Sequence, residues 1–101
     1  MDIELVKEVQ EYIRGLSRQA EREQIDRYLA RQMELGHRLV LPVSRPLRDG
    51  IHEIRPGPHR LLFFYKEGRI QIVHAFRKKT RETPDWEIKA ALKRRELFLN
   101  G

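Results

Sequence analysis

The apolar positions in the first part of the chain recur every three or four residues, which is the period of a helix with one buried face. A first helix is predicted over residues 3 to 15, with the stripe Val6, Val9, Ile13 and Leu16. A second is predicted from about Ser17 to Leu35, with Gly36 as its C-terminal stop. We expect the two helices to form an antiparallel hairpin.

The period changes to two after Asp49-Gly50, which indicates β-strands. Residues 37 to 49 form an extended connection, with a short strand at Leu39–Pro42. An antiparallel meander follows, with strands Ile51–Arg55, Arg60–Tyr65 and Arg69–Phe76 joined by tight turns. Thr83 is expected to cap a last helix that begins at Pro84.

These elements predict an α+β fold over a single domain, residues 1 to 101. Its parts are an N-terminal helical hairpin, a three- or four-stranded antiparallel sheet and a C-terminal helix. The apolar face of the sheet, with Phe63, Tyr65 and Ile72, should pack on the helix pair.

The chain carries a net charge of +6 with a pI near 10.1, which bears on the partners it could bind. Nucleic acid, an anionic membrane or an acidic protein would all suit this excess. No cysteine is present, so disulfides and thiolate metal sites are excluded. No long apolar run or signal peptide is recognisable, and we therefore expect a soluble cytoplasmic protein with no membrane partner.

Much of this charge lies in one connection between the last strand and the last helix. Its cations are Arg77, Lys78, Lys79 and Arg81. A loop fixed at both ends can hold positive charge in a defined place, and phosphate is the natural counter-charge. A merely solvated basic loop is the alternative.

A register argument adds two more arginines. If Glu67-Gly68 is a two-residue turn, Arg60 lies opposite Ala75, and Arg77 is its diagonal neighbour on the same face. If Gly57-Pro58 is the turn before it, Arg55 lies opposite Arg60, and Glu53 shares their face and could neutralise one of them. The sequence thus predicts an exposed anion site on the open sheet face, formed by Arg55, Arg60 and Arg77.

The histidines and the single tryptophan carry weaker signals. His74 and His52 alternate with core residues and are expected to be buried and satisfied, whereas His59 is expected to be exposed and able to carry a proton. Trp86 fits either the core, which we favour, or a surface on which a base stacks. No metal-ligand spacing, phosphate-binding loop or nucleophile motif occurs, so no metal or cofactor is expected.

Several segments resemble the RelE/HigB-like toxins of bacterial type II toxin–antitoxin modules, with the phage-derived branch the most similar. They are Leu47–Arg55, His59–Tyr65, Ile72–Thr80, Thr83-Pro84 and Glu87–Ala90. The pattern D-G-x-x-E-x-R and the block F-x-K-K-T-x-x-T-P occur together and in order. One departure is that such toxins begin with a β-strand, whereas the pattern here predicts a helix from Ile3.

The resemblance implies ribosome-dependent cleavage of mRNA and a cognate antitoxin, commonly a helix-turn-helix DNA-binding protein. The family's site arginines correspond to Arg60 and Arg77, and Lys78 and Lys79 correspond to its basic loop. Arg55 and Arg81 would add to phosphate binding, and a lysine or His59 would serve as general base. Two alternatives remain open: a ParE-like toxin that poisons gyrase, and a basic binding module without catalysis.

Overall fold

A mixed five-stranded sheet with helices on both faces forms the centre of the computed structural model, which describes all residues from Met1 to Gly101. The strand order is β1-β5-β4-β3-β2. The elements are β1 (Asp2–Leu5), α1 (Lys7–Arg14), α2 (Gln19–Leu35), β2 (Ser44–Arg48), β3 (Ile51–Ile54), β4 (His59–Lys66), β5 (Arg69–Arg77) and α3 (Asp85–Asn100).

The N-terminus is a strand, so the prediction of a helix from Ile3 is wrong. Residues Asp2–Leu5 pair in parallel with β5, and α1 begins only at Lys7. Ile3 and Leu5 turn toward the core while Asp2 and Glu4 face solvent, a period-two pattern that is too short to stand out beside the helical stripe. The edge strand expected of RelE-like toxins is therefore present.

The other edge of the sheet is formed by β2, which corresponds to the predicted fourth strand. The sheet therefore departs from the predicted three or four antiparallel strands through β1, a fifth strand that pairs in parallel. The strand expected at Leu39–Pro42 lies instead at Ser44–Arg48 and pairs with β3. Pro46 within it is tolerated because an edge strand has one side free of ladder hydrogen bonds.

A bulge in β5 decides which face its last residues occupy. The predicted register between β4 and β5 is correct from Lys66↔Arg69 to Phe63↔Ile72. Val73 is then an extra residue, and the pairing resumes one step later with Leu62↔His74. Arg60 consequently lies opposite Phe76 and His59 opposite Arg77, so Arg77 points to the opposite face from Arg60.

Each face of the sheet has its own apolar layer. On one face α1 and α2 cover Phe63 and Ile72, as predicted, through Val9 and Ile25. On the other, α3 covers a second layer composed of Ile51, Leu62, Phe64, Val73 and Phe76. The face that was expected to be open is thus covered over much of its area. No helix combines the length and the apolar character needed to cross a membrane.

Candidate functional site

The edge of β5 is open where β1 ends. β1 pairs only with Arg69–Ile72, whereas β5 continues to Arg77. A cleft of about 340 Å³ lies along this free edge, between α1 on one face and the start of α3 on the other. Its lining consists of Tyr12, Ala75, Phe76, Arg77, Lys79, Pro84, Trp86 and Glu87.

Arg77 enters this cleft at the end of a hydrogen-bonded chain, which we call the Tyr12–Arg77 chain. The Arg77 side chain is 54% exposed, and its Nη2 donates to Glu21 Oε1 at 2.8 Å. The same oxygen lies 2.8 Å from His59 Nε2, and His59 Nδ1 lies 2.7 Å from the Tyr12 hydroxyl. A neutral His59 that donates from Nε2 and accepts at Nδ1 satisfies both contacts. Through this chain, Glu21 of α2 holds Arg77 Nη2 in place.

The charges along the Tyr12–Arg77 chain are well defined at neutral pH. The hydrogen bond from His59, assisted by that from Arg77, lowers the pKa of Glu21. Burial raises the pKa of Tyr12. Glu21 is thus a carboxylate and Tyr12 a neutral phenol, and the cleft presents a guanidinium and a hydroxyl to a ligand.

The expectation that His59 is exposed is wrong. Its side chain is fully buried between β4 and the helix pair, with both ring nitrogens in contact with other side chains. His59 communicates with the cleft only through Tyr12 or through Glu21.

Arg60 is also buried, against the prediction of an exposed arginine. It is 5% exposed, and its Nη1 donates to the carbonyls of Gly57 and His59, both at 2.7 Å. Burial, reinforced by the charge of Arg55, lowers the pKa of Arg60. This arginine binds the turn between β3 and β4.

Arg55 and Arg60 share a face, as predicted, and Glu53 offsets part of the positive charge there. Glu53 is fully buried; it accepts a hydrogen bond from Arg45 Nε at 3.0 Å and lies 3.5 Å from Arg55 Nε. Thr83 donates its hydroxyl to the same carboxylate. Thr83 is therefore not the N-cap that was expected, and α3 begins after Pro84 without a side-chain cap.

The basic loop is held at both ends and keeps three free charges. The Lys78 backbone N–H donates to the carbonyl of Pro58 at 2.8 Å, and Thr83 fastens the far end to Glu53. Lys78, Lys79 and Arg81 are exposed and have no carboxylate partner, unlike Arg77. The predicted site residues thus divide into an open group around Arg77 and a buried group around Arg60.

A family model described as "Phage derived protein Gp49-like (DUF891)" matches residues 11–96, which is most of the chain. The chain belongs to this family. The Gp49-like family is part of the RelE/ParE-like toxin superfamily. The matched residues contain the whole cleft. A search of curated proteins found no match.

Trp86 of this Gp49-like chain is 66% exposed, so the favoured core position is wrong. The inward side of α3 is formed by Glu87, Ile88 and Ala91. Trp86 lies two residues before Ile88, so the helical period places it outside that stripe. This spacing is a signal in the sequence that argues against a core position for Trp86.

Other Gp49-like site residues escaped the sequence reasoning altogether. Tyr12 and Glu21 lie outside the apolar stripes of α1 and α2, and only the tertiary fold brings them to His59. Glu87 likewise lies in a helix where no local pattern marks a polar residue as part of a site. It lies 2.6 Å from Nε2 of His74, which is buried and satisfied as predicted.

Proposed function

We propose that this protein is the toxin of a type II toxin–antitoxin module and acts in the cytoplasm as a ribosome-dependent mRNA endoribonuclease of the HigB-like kind. Its membership of the Gp49-like family supports the toxin class. The observation that carries the nuclease assignment is Arg77, held by Glu21 in an open cleft beside the unpaired cations Lys78, Lys79 and Arg81.

The reaction needs charge neutralisation and two proton movements. The 2′-OH of one nucleotide attacks the adjacent phosphorus, the bond to the 5′-oxygen breaks, and a 2′,3′-cyclic phosphate and a 5′-OH form. Negative charge accumulates on the phosphoryl oxygens in between, where Arg77 and Lys79, which both line the cleft, can offset it.

Of the two proton carriers considered, Lys79 lines the cleft, whereas the buried His59 reaches it only through Tyr12 or through Glu21. We therefore assign proton transfer to Lys79, which would take the proton of the 2′-OH and return one to the 5′-oxygen as its bond to phosphorus breaks, and a positioning role to His59. Lys78 and Arg81 would bind flanking phosphates, together with Arg55 at longer range. Arg60 would act indirectly by fixing the turn that carries His59.

Expression of the chain in bacteria tests this assignment. We expect translation to stop and mRNA fragments with 5′-OH ends to appear. Arg77→Ala should lower cleavage by about 10²- to 10³-fold, since one transition-state contact is lost. Lys93→Ala on α3, outside the cleft, is the matched loss of one cation and should change little. Equal losses in the two variants would contradict a defined phosphate site.

The same expression experiment separates the two alternatives, because the superfamily includes both RelE-like and ParE-like toxins. Intact mRNA together with arrested replication would assign the protein to the gyrase poisons. Normal growth with intact mRNA would favour a basic binding module.

A cognate antitoxin is the second partner we propose, most simply a helix-turn-helix protein with an acidic docking segment. The net charge of +6 would speed this association and make it sensitive to salt. The product of the neighbouring gene should co-purify with the chain at low salt and inhibit cleavage. Failure to bind under these conditions would remove most support for the module.

A further inference from the structure

An exposed tryptophan borders the cleft, and the proposed chemistry does not use it. Trp86 is the most exposed of the large hydrophobic side chains and lies in the first turn of α3. An indole offers a large flat surface that gains most when a second ring covers it. Because the cations Arg77 and Lys79 line the same cleft, this position would suit a nucleobase.

The cations in the same cleft complement this surface. Arg77 and Lys79 line the cleft together with Trp86, and Lys79 has no carboxylate partner. Aromatic side chains beside a basic groove are the usual means by which proteins bind single-stranded nucleic acid. The volume of about 340 Å³ is at the small end of ligand pockets, which suits a single nucleotide.

We infer that the cleft is a nucleotide subsite for single-stranded RNA, in which one unpaired base stacks on the Trp86 indole while Arg77 and Lys79 bind its phosphate. This inference rests on the proposed function for the identity of the natural RNA, but binding itself requires neither ribosome nor cleavage. Stacking accepts any base, so the subsite would add affinity with little sequence preference.

Trp86 is the only tryptophan of the chain, so its fluorescence reports on this subsite alone. The RNA trimer ApApA should quench it, whereas pyrophosphate, which lacks a base, and adenosine, which lacks a phosphate, should do so only at far higher concentration. Quenching by adenosine and ApApA at equal concentrations would overturn the joint contact with base and phosphate.

Variants test each half of the subsite by the anisotropy of a labelled trimer. Trp86→Ala should raise the Kd by about 5- to 150-fold, and Trp86→Phe, which keeps a ring, by less. Lys79→Ala should weaken binding at least about tenfold, whereas Lys93→Ala should change it less than about twofold. Equal affinities of wild type and Trp86→Ala, with circular dichroism showing both folded, would refute stacking.

The outcomes also distinguish this inference from the toxin proposal. Quenching by the trimer without any effect on translation would support the subsite and contradict the toxin assignment. Translation arrest with no quenching by the trimer would support the toxin assignment and contradict the subsite. A fluorescence change with the purified antitoxin but not with RNA would make Trp86 a protein contact and overturn the subsite.

Discussion

Burial separates the roles of two arginines that look alike in the sequence. Arg60 is 5% exposed and binds two backbone carbonyls, whereas Arg77 is 54% exposed and lines the cleft. Arg60→Ala should lower the free energy of unfolding by about 1–3 kcal/mol, because the carbonyls of Gly57 and His59 lose their donor. Arg77→Ala, which breaks only a surface ion pair, should lower it by less than about 1 kcal/mol.

Urea unfolding of the two variants measures this difference, and a cleavage assay on the folded fraction completes it. If Arg60→Ala kept full stability yet lost cleavage, Arg60 would bind phosphate as the sequence suggested.

Glu21 should make stability sensitive to acid. Hydrogen bonds from His59 and Arg77 lower the pKa of Glu21, so the unfolded chain binds its proton at higher pH than the folded protein. The resulting stability is complete above the ordinary pKa of a glutamate and is lost as the pH falls through the lowered pKa of the folded state. The urea midpoint should therefore decline from about pH 6 to about pH 3, and less steeply in Glu21→Gln.

Asp26→Asn is the control for this experiment, because Asp26 is an exposed carboxylate on the same helix for which no ion pair is found. Parallel pH curves for wild type and Glu21→Gln would show that Glu21 is not a main source of acid sensitivity.

At the scale of elements, the short strand β1 pairs with the first part of the β5 edge, and the cleft lies along the remaining part of that edge. The backbone of β1 pairs with Arg69–Ile72, and Ile3 and Leu5 pack on the main core. Deleting residues 2–5 should destabilise the protein by roughly 2–4 kcal/mol through lost apolar burial. It should also expose the whole edge of β5 and promote self-association.

Light scattering and thermal melting of the deletion variant test this role, with Glu4→Ala as the control that removes only the surface contact to Arg69. A monomeric deletion variant with an unchanged melting temperature would mean that β1 contributes nothing to this edge.

The sequence predicted most helices and strands but not how the site residues are arranged around them. A single inserted residue in β5 explains much of this difference. Period and turn residues located α2, β3, β4 and β5 to within a few residues. A bulge leaves no such trace, since Val73 is as apolar as its neighbours, yet it turns Arg77 away from Arg60 and toward Glu21. The burial of Arg60 and His59 followed from tertiary contacts that no local pattern encodes.

At the scale of the whole molecule, nearby carboxylates pair with part of the positive charge. Arg45, Arg48, Arg55 and Arg69 each have a carboxylate partner, whereas the loop after β5 keeps Lys78, Lys79 and Arg81 unpaired. Three cations without a carboxylate partner therefore lie in the loop that borders the cleft. A ligand that binds there should release counterions in proportion to the phosphates it brings.

Salt dependence should distinguish phosphate contacts from stacking. For single-stranded RNA the logarithm of the binding constant falls with the logarithm of the salt concentration, with a slope of about −0.7 per neutralised phosphate. Lys78→Ala should make the slope shallower by about 0.7. Trp86→Ala should weaken binding at every salt concentration and leave the slope unchanged, because stacking releases no counterions. Lys93→Ala should change neither quantity. If Lys93→Ala reduced the slope as much as Lys78→Ala, all surface cations would contribute alike to RNA binding. The loop after β5 would then not be a defined phosphate-binding site.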